Sequence, residues 1–309
     1  MSVMELRTLE YFVAVADEGS FTRAAQRCFI TQPSISAQIQ GLERELGEAL
    51  FDRTQRTTAL TDAGQVLLPY ARRCIQAADD AKAEFSARAG LLRGEFRIGT
   101  GGGVEHTTTP VLLGELRQKH PGIDVVVSEA PSKPLLDMVL QNQLHAAVIA
   151  RPPDPLPASI STSRLFVDQI VAAFDPTAYP LGDTDPLELC QLAQHPIITY
   201  PRTSALRASI DRVASAADTE VLVSCAANDV RLQVSFAQQG LGVALSARCD
   251  PALIGSGLTI RQITPQIDFE KMLIWRNDIP ASAPLRAFLA LWNAAMNVDE
   301  ALSADLTLS

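Results

Sequence analysis

Apolar residues at helical spacing open the chain: Leu6, Leu9, Phe12, Val13 and Ala16 share one face, and Glu18-Gly19-Ser20 ends the run. Ser20 is a good N-cap for a short second helix that turns Phe21, Ala24, Ala25 and Cys28 inward. Thr31 is another start signal, Pro33 is tolerated only in a first turn, and a stripe of Ile35, Ile39, Leu42 and Leu46 runs to Gly47. Small residues between two helices and a polar face on the next predict a helix-turn-helix, with a plain three-helix bundle as the alternative. Residues 50–60 are β-compatible around a turn and predict a wing hairpin. Thr61 then caps a long helix through Val66, Leu68, Ile75, Ala78 and Phe85 to Gly90, with Pro69 near its start. That helix has too little apolar surface to fold alone, so pairing with a second chain is expected.

From residue 93 the pattern changes to short apolar strands alternating with amphipathic helices. Strands are predicted at 95–99, 123–128, 146–150, 166–174, 197–200, 221–225, 241–245, 258–263 and 269–275. Helices are predicted at 107–120, 133–142, 186–193, 205–217, 230–239 and 284–296. This alternation means an α/β domain with mainly parallel sheets. After the prolines at 152, 153, 155 and 157, the run Leu165 to Phe174 is long enough to connect two subdomains. The expected organisation is a DNA-binding module at 1–60, a linker helix at 61–90 and an α/β domain at 91–309. Its subdomain I would comprise about 91–162 and 269–298, and subdomain II about 163–268.

Charge first argues against a nucleic-acid partner, because 26 Lys plus Arg face 35 Asp plus Glu, a net of −9 over 309 residues. Partition removes most of that objection. Residues 1–60 hold six Arg against eight acids, 61–90 hold four of each, and the remainder holds 16 against 23, so the excess lies in the α/β domain. No apolar run approaches a membrane span and the first thirty residues contain no signal-peptide core, so a cytoplasmic chain with no membrane partner is expected.

The five cysteines (28, 74, 190, 225 and 249) form no CxxC pair and no zinc-ligand spacing, so reduced structural thiols and no metal are expected. A redox pair of Cys225 and Cys249 is the alternative. His106, His120, His145 and His195 are scattered and read as surface or satisfied groups. There is no nucleophile elbow or phosphate loop, and Gly101-Gly102-Gly103 lacks the spacing of a dinucleotide fingerprint. Neither an enzyme nor a cofactor is expected.

What separates DNA binding from a plain bundle is the solvent face of the third helix. Gln32, Ser34, Ser36, Gln38 and Gln40 offer hydrogen-bonding groups there, and acids appear only at Glu43 and Glu45. A helix selected only for solubility carries more charge of both signs.

These residues carry a resemblance. The string FVAVADEGSFTRAAQRCFITQPSISAQIQGLERELGEALFDRT from Phe12, followed by LTDAGQVLLPYA, resembles the LysR-type transcriptional regulators. The likeness continues through RGEFRIGT, LRQKHPGIDVVV, QQGLGVAL and the final LRAFLALW, so it covers nearly the whole chain. It implies a mainly α winged helix-turn-helix with a long linker helix, followed by a two-subdomain α/β effector domain similar to periplasmic solute-binding proteins. It also implies a ligand-responsive regulator of double-stranded DNA that forms a homodimer or homotetramer, with RNA polymerase as a possible further partner. A cytosolic solute-binding protein with an N-terminal oligomerisation module is the competing reading.

Carried over residue by residue, the resemblance places Phe21, Thr22 and Arg23 in the DNA-binding motif with Thr31. Gln32, Pro33, Ser34, Ser36 and Gln38 would face the major groove, and Arg53 and Arg56 in the wing would reach phosphates or the minor groove. Glutamine reads adenine bidentately and hydroxyls read base edges or phosphates. Where many members carry Arg or Lys, this chain has Ala37, Gln40 and Gly41, so binding should be lost easily as salt rises.

In such an architecture an effector lies in the cleft between the two subdomains, near strand C-termini and helix N-termini. Three loops qualify: Thr100, Gly101, Gly102 and Gly103; Ser128, Glu129 and Ser132; and Tyr200, Arg202, Thr203 and Ser204. Free N–H groups and hydroxyls there favour a carboxylate, with Arg202, Lys133 or Arg151 as counter-charge. Glu129 fits an anion poorly and would instead hold the ammonium of an amino acid or amine, or point to solvent.

Overall fold

In the computed structural model, residues 4–52 and 58–306 are described, and they form two compact units, the first running to Gly94 and including Gln141–Gln143, the second comprising the rest from Glu95. The first begins with α1 (Leu6–Glu18), α2 (Phe21–Arg27) and α3 (Gln32–Leu46). The capping residues behave as their chemistry dictates. The hydroxyl of Ser20 accepts the Arg23 N–H at 3.4 Å, Thr31 accepts that of Ser34 at 3.4 Å, and Gly47 closes α3 in the left-handed region. Phe12, Val15, Ala24, Ile35 and Ile39 are wholly buried and Ala25 nearly so, one core shared by the three helices. Each large side chain in it contributes about 1.5–3 kcal/mol.

β1 (Phe51–Asp52) and β2 (Ala59–Leu60) pair antiparallel as the expected wing hairpin. Then α4 (Asp62–Arg88) runs 27 residues, with Thr61 as N-cap accepting the Gly64 N–H at 3.1 Å. Along it Gly64, Ala71, Gln76 and Ala83 are buried, whereas Val66, Tyr70 and Phe85 are exposed.

β3 (Arg93–Thr100) leads into the second unit, which continues with a 3-10 turn at Val104–His106, α5 (Thr109–Lys119), β4 (Gly122–Glu129), α6 (Ser132–Leu140) and β5 (Ala146–Ala150). Next come β6 (Ile160–Phe174), β7 (Leu187–Glu188), α7 (Leu189–Leu192), β8 (Ile197–Thr199) and α8 (Ala205–Ala216). The chain closes with β9 (Val223–Ala226), α9 (Val230–Gln238), β10 (Val243–Ala247), β11 (Thr259–Arg261), β12 (Ile263–Thr264), β13 (Asp268–Arg276) and α10 (Ala283–Leu306). The helix expected at 186–193 is only the single turn of α7, because Leu187 and Glu188 pair with β12 instead.

The sheets are mixed, which corrects the expectation of mainly parallel ones. The strand order is β4-β3-β5-β13-β6-β10-β8-β9. β3 and β5 pair parallel, as do β10, β8 and β9. Both long strands run the other way: β13 is antiparallel to β5 and β6, and β6 is antiparallel to β10 and β11. The 15-residue β6 serves two neighbourhoods, since 160–169 pair with β13 and 170–174 pair with β10 and β11. One core packs on its second half around Phe174, Ile197, Ile198 and Leu245, and another on its first half around Leu135, Met272 and Ile274. Trp292 of α10 is fully buried, and its indole donates to the Ser163 hydroxyl at 2.9 Å. Among the described residues no helix is long and apolar enough to cross a membrane.

Candidate functional sites

In the first unit the period of α3 separates two faces. Ile35, Ile39 and Leu42 point into the core, which turns Gln32, Pro33, Ser34 and Gln38 outward and leaves Ser36 half-buried. Not all of the exposed groups are equally available. Gln38 Oε1 accepts the Thr8 hydroxyl at 3.4 Å, and the Ser34 and Thr31 hydroxyls lie 2.8 Å apart, whereas Gln32 has no side-chain partner among the described residues. Glu43, the first acid along the helix, is turned to structural use: its carboxylate accepts the N–H of Leu50 at 2.9 Å and of Phe51 at 3.4 Å, fastening α3 to the wing.

On α2, Thr22 is exposed, and the half-buried Phe21 sets its ring edge-on to Phe51 at 5.5 Å. Arg23 donates to the Glu18 carbonyl and pairs with the Glu18 carboxylate at 3.4 Å, while Arg27 lies 3.3 Å from Asp17. These pairs are exposed and weak, so both guanidinium groups remain able to exchange onto phosphate. Arg53 and Arg56 lie outside the described residues.

In the second unit the ends of β3, β4 and β5 bring two of the three predicted loops together. The Thr100 carbonyl accepts the Ala130 N–H at 3.2 Å, and the Gly101 N–H donates to Val148 at 3.1 Å. Thr100 is buried, Ser128 half-buried and Glu129 exposed. Ser132 is engaged by the chain itself, since its hydroxyl accepts the Ala150 N–H at 3.2 Å.

Two predicted binding residues have other occupations. Arg151 sits 2.6 Å from the Glu270 carboxylate, which Arg164 also approaches at 3.3 Å. The hydrogen bond from Arg151 is the main reason that the Glu270 carboxyl is held below its ordinary range. Arg151 is thus already neutralised as a counter-charge. Tyr200 is buried, its phenolic oxygen accepting the Ala247 N–H at 3.0 Å, and desolvation drives its ionisation far above the usual phenol range. It anchors the loop and leaves no hydroxyl to a ligand. Arg202 and Thr203 are exposed beyond it, and the Ser204 hydroxyl caps α8 by accepting the Leu206 N–H at 3.3 Å. Lys133 pairs with Asp137 at 3.4 Å.

Residues that sequence reasoning passed over line the same region. Lys271 on β13 is 7% exposed and donates to the Gly102 carbonyl. Burial is the main influence on it and holds its pKa below the ordinary lysine value, against the weaker opposing fields of Cys249, Glu105 and Asp250. Asp168 on β6 is 5% exposed, accepts the Cys249 N–H at 2.6 Å and pairs with Arg248 at 3.0 Å. Two adjacent charges, Glu270 and Lys271, inside the otherwise apolar run Phe269 to Trp275 were the available signal. All five cysteines are unbridged, and no cluster of metal-ligating side chains occurs among the described residues.

Comparison with known proteins agrees across both units. Residues 6–65 match the family of bacterial regulatory helix-turn-helix proteins of the lysR type, and 89–297 match the LysR substrate binding domain. The HTH-type transcriptional regulator IlvR of Caulobacter vibrioides is 31% identical, covering 93% of this chain and 97% of its own. ShiR of Corynebacterium glutamicum is 30% identical over 79% of this chain and 82% of its own. In fold, a full-length OxyR variant from Pseudomonas aeruginosa superposes with a TM-score of 0.70 at 20% identity, covering 94% of this chain and 95% of its own. CbnR, a LysR family transcriptional regulator, gives 0.66 at 21%, covering 93% and 98%.

Proposed function

Because the chain belongs to the LysR family of bacterial helix-turn-helix transcription regulators, we propose that α3 reads its operator through Gln32, with Pro33, Ser34, Ser36 and Gln38 beside it. The chain is a DNA-binding regulator with an effector-binding domain. The observation that carries the reading is the division of α3: Ile35, Ile39 and Leu42 are buried, the opposite face is uncharged and hydrogen-bonding, and Glu43 is tied to the wing. A glutamine unopposed by carboxylates suits adenine in the major groove. Thr22 and Arg23, with Arg53 and Arg56, would supply the phosphate contacts that set register.

The effector is a small carboxylate or amino acid held near Thr100–Gly103, Ser128–Ser132 and Arg202–Ser204, where strand ends meet helix starts. Its differential affinity for two arrangements of the α/β domain would shift the DNA-bound population. Exposed Val66, Tyr70 and Phe85 on α4 support self-association into a homodimer or homotetramer, which raises effective concentration on paired half-sites. The protein acts in the cytoplasm, without catalysis of its own, and RNA polymerase is a further partner. Labelled DNA from upstream of the chain's own gene should shift in a gel at low salt, in bands whose size reports an oligomer. Failure to shift at micromolar protein would reject the reading.

A further inference from the structure

Lys271 is out of place in the strand that carries it. The residues that follow it, Met272, Leu273 and Ile274, are wholly buried and apolar, the preceding Glu270 is taken up by Arg151 and Arg164, and its register partners are Ala150 on one side and Phe166 on the other. A methionine would fill such a position without removing a charge from water. Instead a lysine lies buried there, with no carboxylate within ion-pair distance of its ammonium among the described residues. The fields that favour its charge, those of Cys249, Glu105 and Asp250, are weaker than the cost of its desolvation. An isolated buried cation is costly and persists where something outside the core compensates it.

The main chain is fitted around this ammonium. Nζ donates to the Gly102 carbonyl, and a Cβ added at Gly103 would stand 3.1 Å from Nζ. Gly103 has φ +77, so both its conformation and its space favour glycine. An ammonium has three donors and Gly102 occupies one. A second, independent observation lies past the 3-10 turn Val104–His106 that follows this loop. Thr108, at the N-cap of α5, makes no capping bond, and its hydroxyl oxygen is buried without a partner among the described residues. An under-used cation thus meets the glycine-rich loop at a strand end, and an unpaired hydroxyl stands at the start of the helix that the loop leads to.

We infer that Lys271 is the recognition cation for the effector and that the group it binds is a carboxylate. The inference rests on the effector reading above and narrows its chemistry. A neutral or purely cationic ligand would leave the ammonium buried without a counter-charge, whereas a carboxylate accepts its two remaining protons in charge-assisted hydrogen bonds.

The test is thermal shift of the full-length protein with acetate, pyruvate, succinate, citrate, alanine and leucine, each beside its amide, and with choline as the cation. At least one carboxylate should raise the Tm of the wild type while its amide does not, by mass action on the folded state. Lys271→Met should fold with an unliganded Tm at or above the wild type. It should need roughly 10- to 100-fold more of that carboxylate for the same shift, and Lys271→Arg should recover part of the response. The inference is overturned if Lys271→Met responds at wild-type concentrations, if only amides or choline stabilise the wild type, or if none of these carboxylates does. A gel shift of the wild type, run in parallel, tests the regulator reading separately.

Discussion

The Asp168 carboxylate holds Cys249 from two sides: it accepts the Cys249 backbone N–H at 2.6 Å and binds the thiol. Desolvation of the sulfur, then that hydrogen bond, then the charge of Asp168 push the thiol up to about 12 from 9.0. Although Cys249 is exposed as a residue, it therefore stays protonated through the neutral range, and thiolate chemistry is suppressed.

A redox role for Cys249 is disfavoured on this ground. Mass spectrometry after brief treatment with iodoacetamide or peroxide near neutral pH should find Cys249 unmodified, and Asp168→Asn should accelerate its labelling. The linkage sign follows: a raised thiol pKa contributes stability that is present below about 9 and lost as pH rises toward 12. Rapid labelling of the wild type would contradict the assignment.

Lys271 gives the opposite alkaline trend. Its pKa is lowered in the folded state, so the unfolded chain binds the proton more tightly and its contribution to stability rises with pH across the interval between the two values. Lys271→Met removes that dependence. The Tm advantage of Lys271→Met over the wild type should shrink as pH rises from 7 toward the ordinary lysine range, and a constant or growing difference would contradict the buried charge.

Gly64 is the contact point between α4 and the wing. A Cβ there would stand within collision distance of the Leu50 carbonyl oxygen and 2.8 Å from a methyl of Leu60. Since backbone cannot step aside cheaply, Gly64→Ala should destabilise the DNA-binding unit by about 3 kcal/mol and abolish the gel shift. Gly114→Ala in α5 meets nothing within 4 Å and should be neutral or slightly stabilising, by up to about 1 kcal/mol. Denaturant unfolding of the two variants distinguishes them.

Phe29 stands at φ +54 between α2 and α3, with 96% of its surface exposed. An aromatic residue gains nothing from packing there and carries the cost of the left-handed region. Phe29→Asn should raise the stability of the first unit by about 0.5–1 kcal/mol, read from its urea transition. A loss of stability would show that the ring has a partner in solution.

For DNA reading, Gln32 and Gln38 should differ. Gln38 is engaged by Thr8, whereas Gln32 projects unpartnered from the first turn of α3. Gln32→Ala should cost about 1–3 kcal/mol on the preferred operator and relax selectivity at one base pair. Gln38→Ala should cost less. Competition gels with single-base operator variants measure both.

Much of this architecture was legible in local sequence. Ser20, Thr31 and Thr61 marked helix starts because a hydroxyl satisfies N–H groups only a few residues away, and Gly47 marked an end because a left-handed residue favours glycine. The buried stripe of α3 was equally visible, since a 3.6-residue period carries its own face. Tertiary structure decided the partners. Arg151 finds Glu270 across 119 residues and Lys271 finds Gly102 across 169, separations over which no periodicity speaks. Strand direction belongs to the same class: an apolar run of Val, Ile and Ala reads alike whether its neighbour is parallel or antiparallel, and only the path of β6 and β13 through the second unit reversed them. The side chains that change meaning, Arg151, Tyr200, Glu43 and Lys271, do so because charge and hydrogen bonding depend on what lies within a few ångströms, and chain order does not determine that distance.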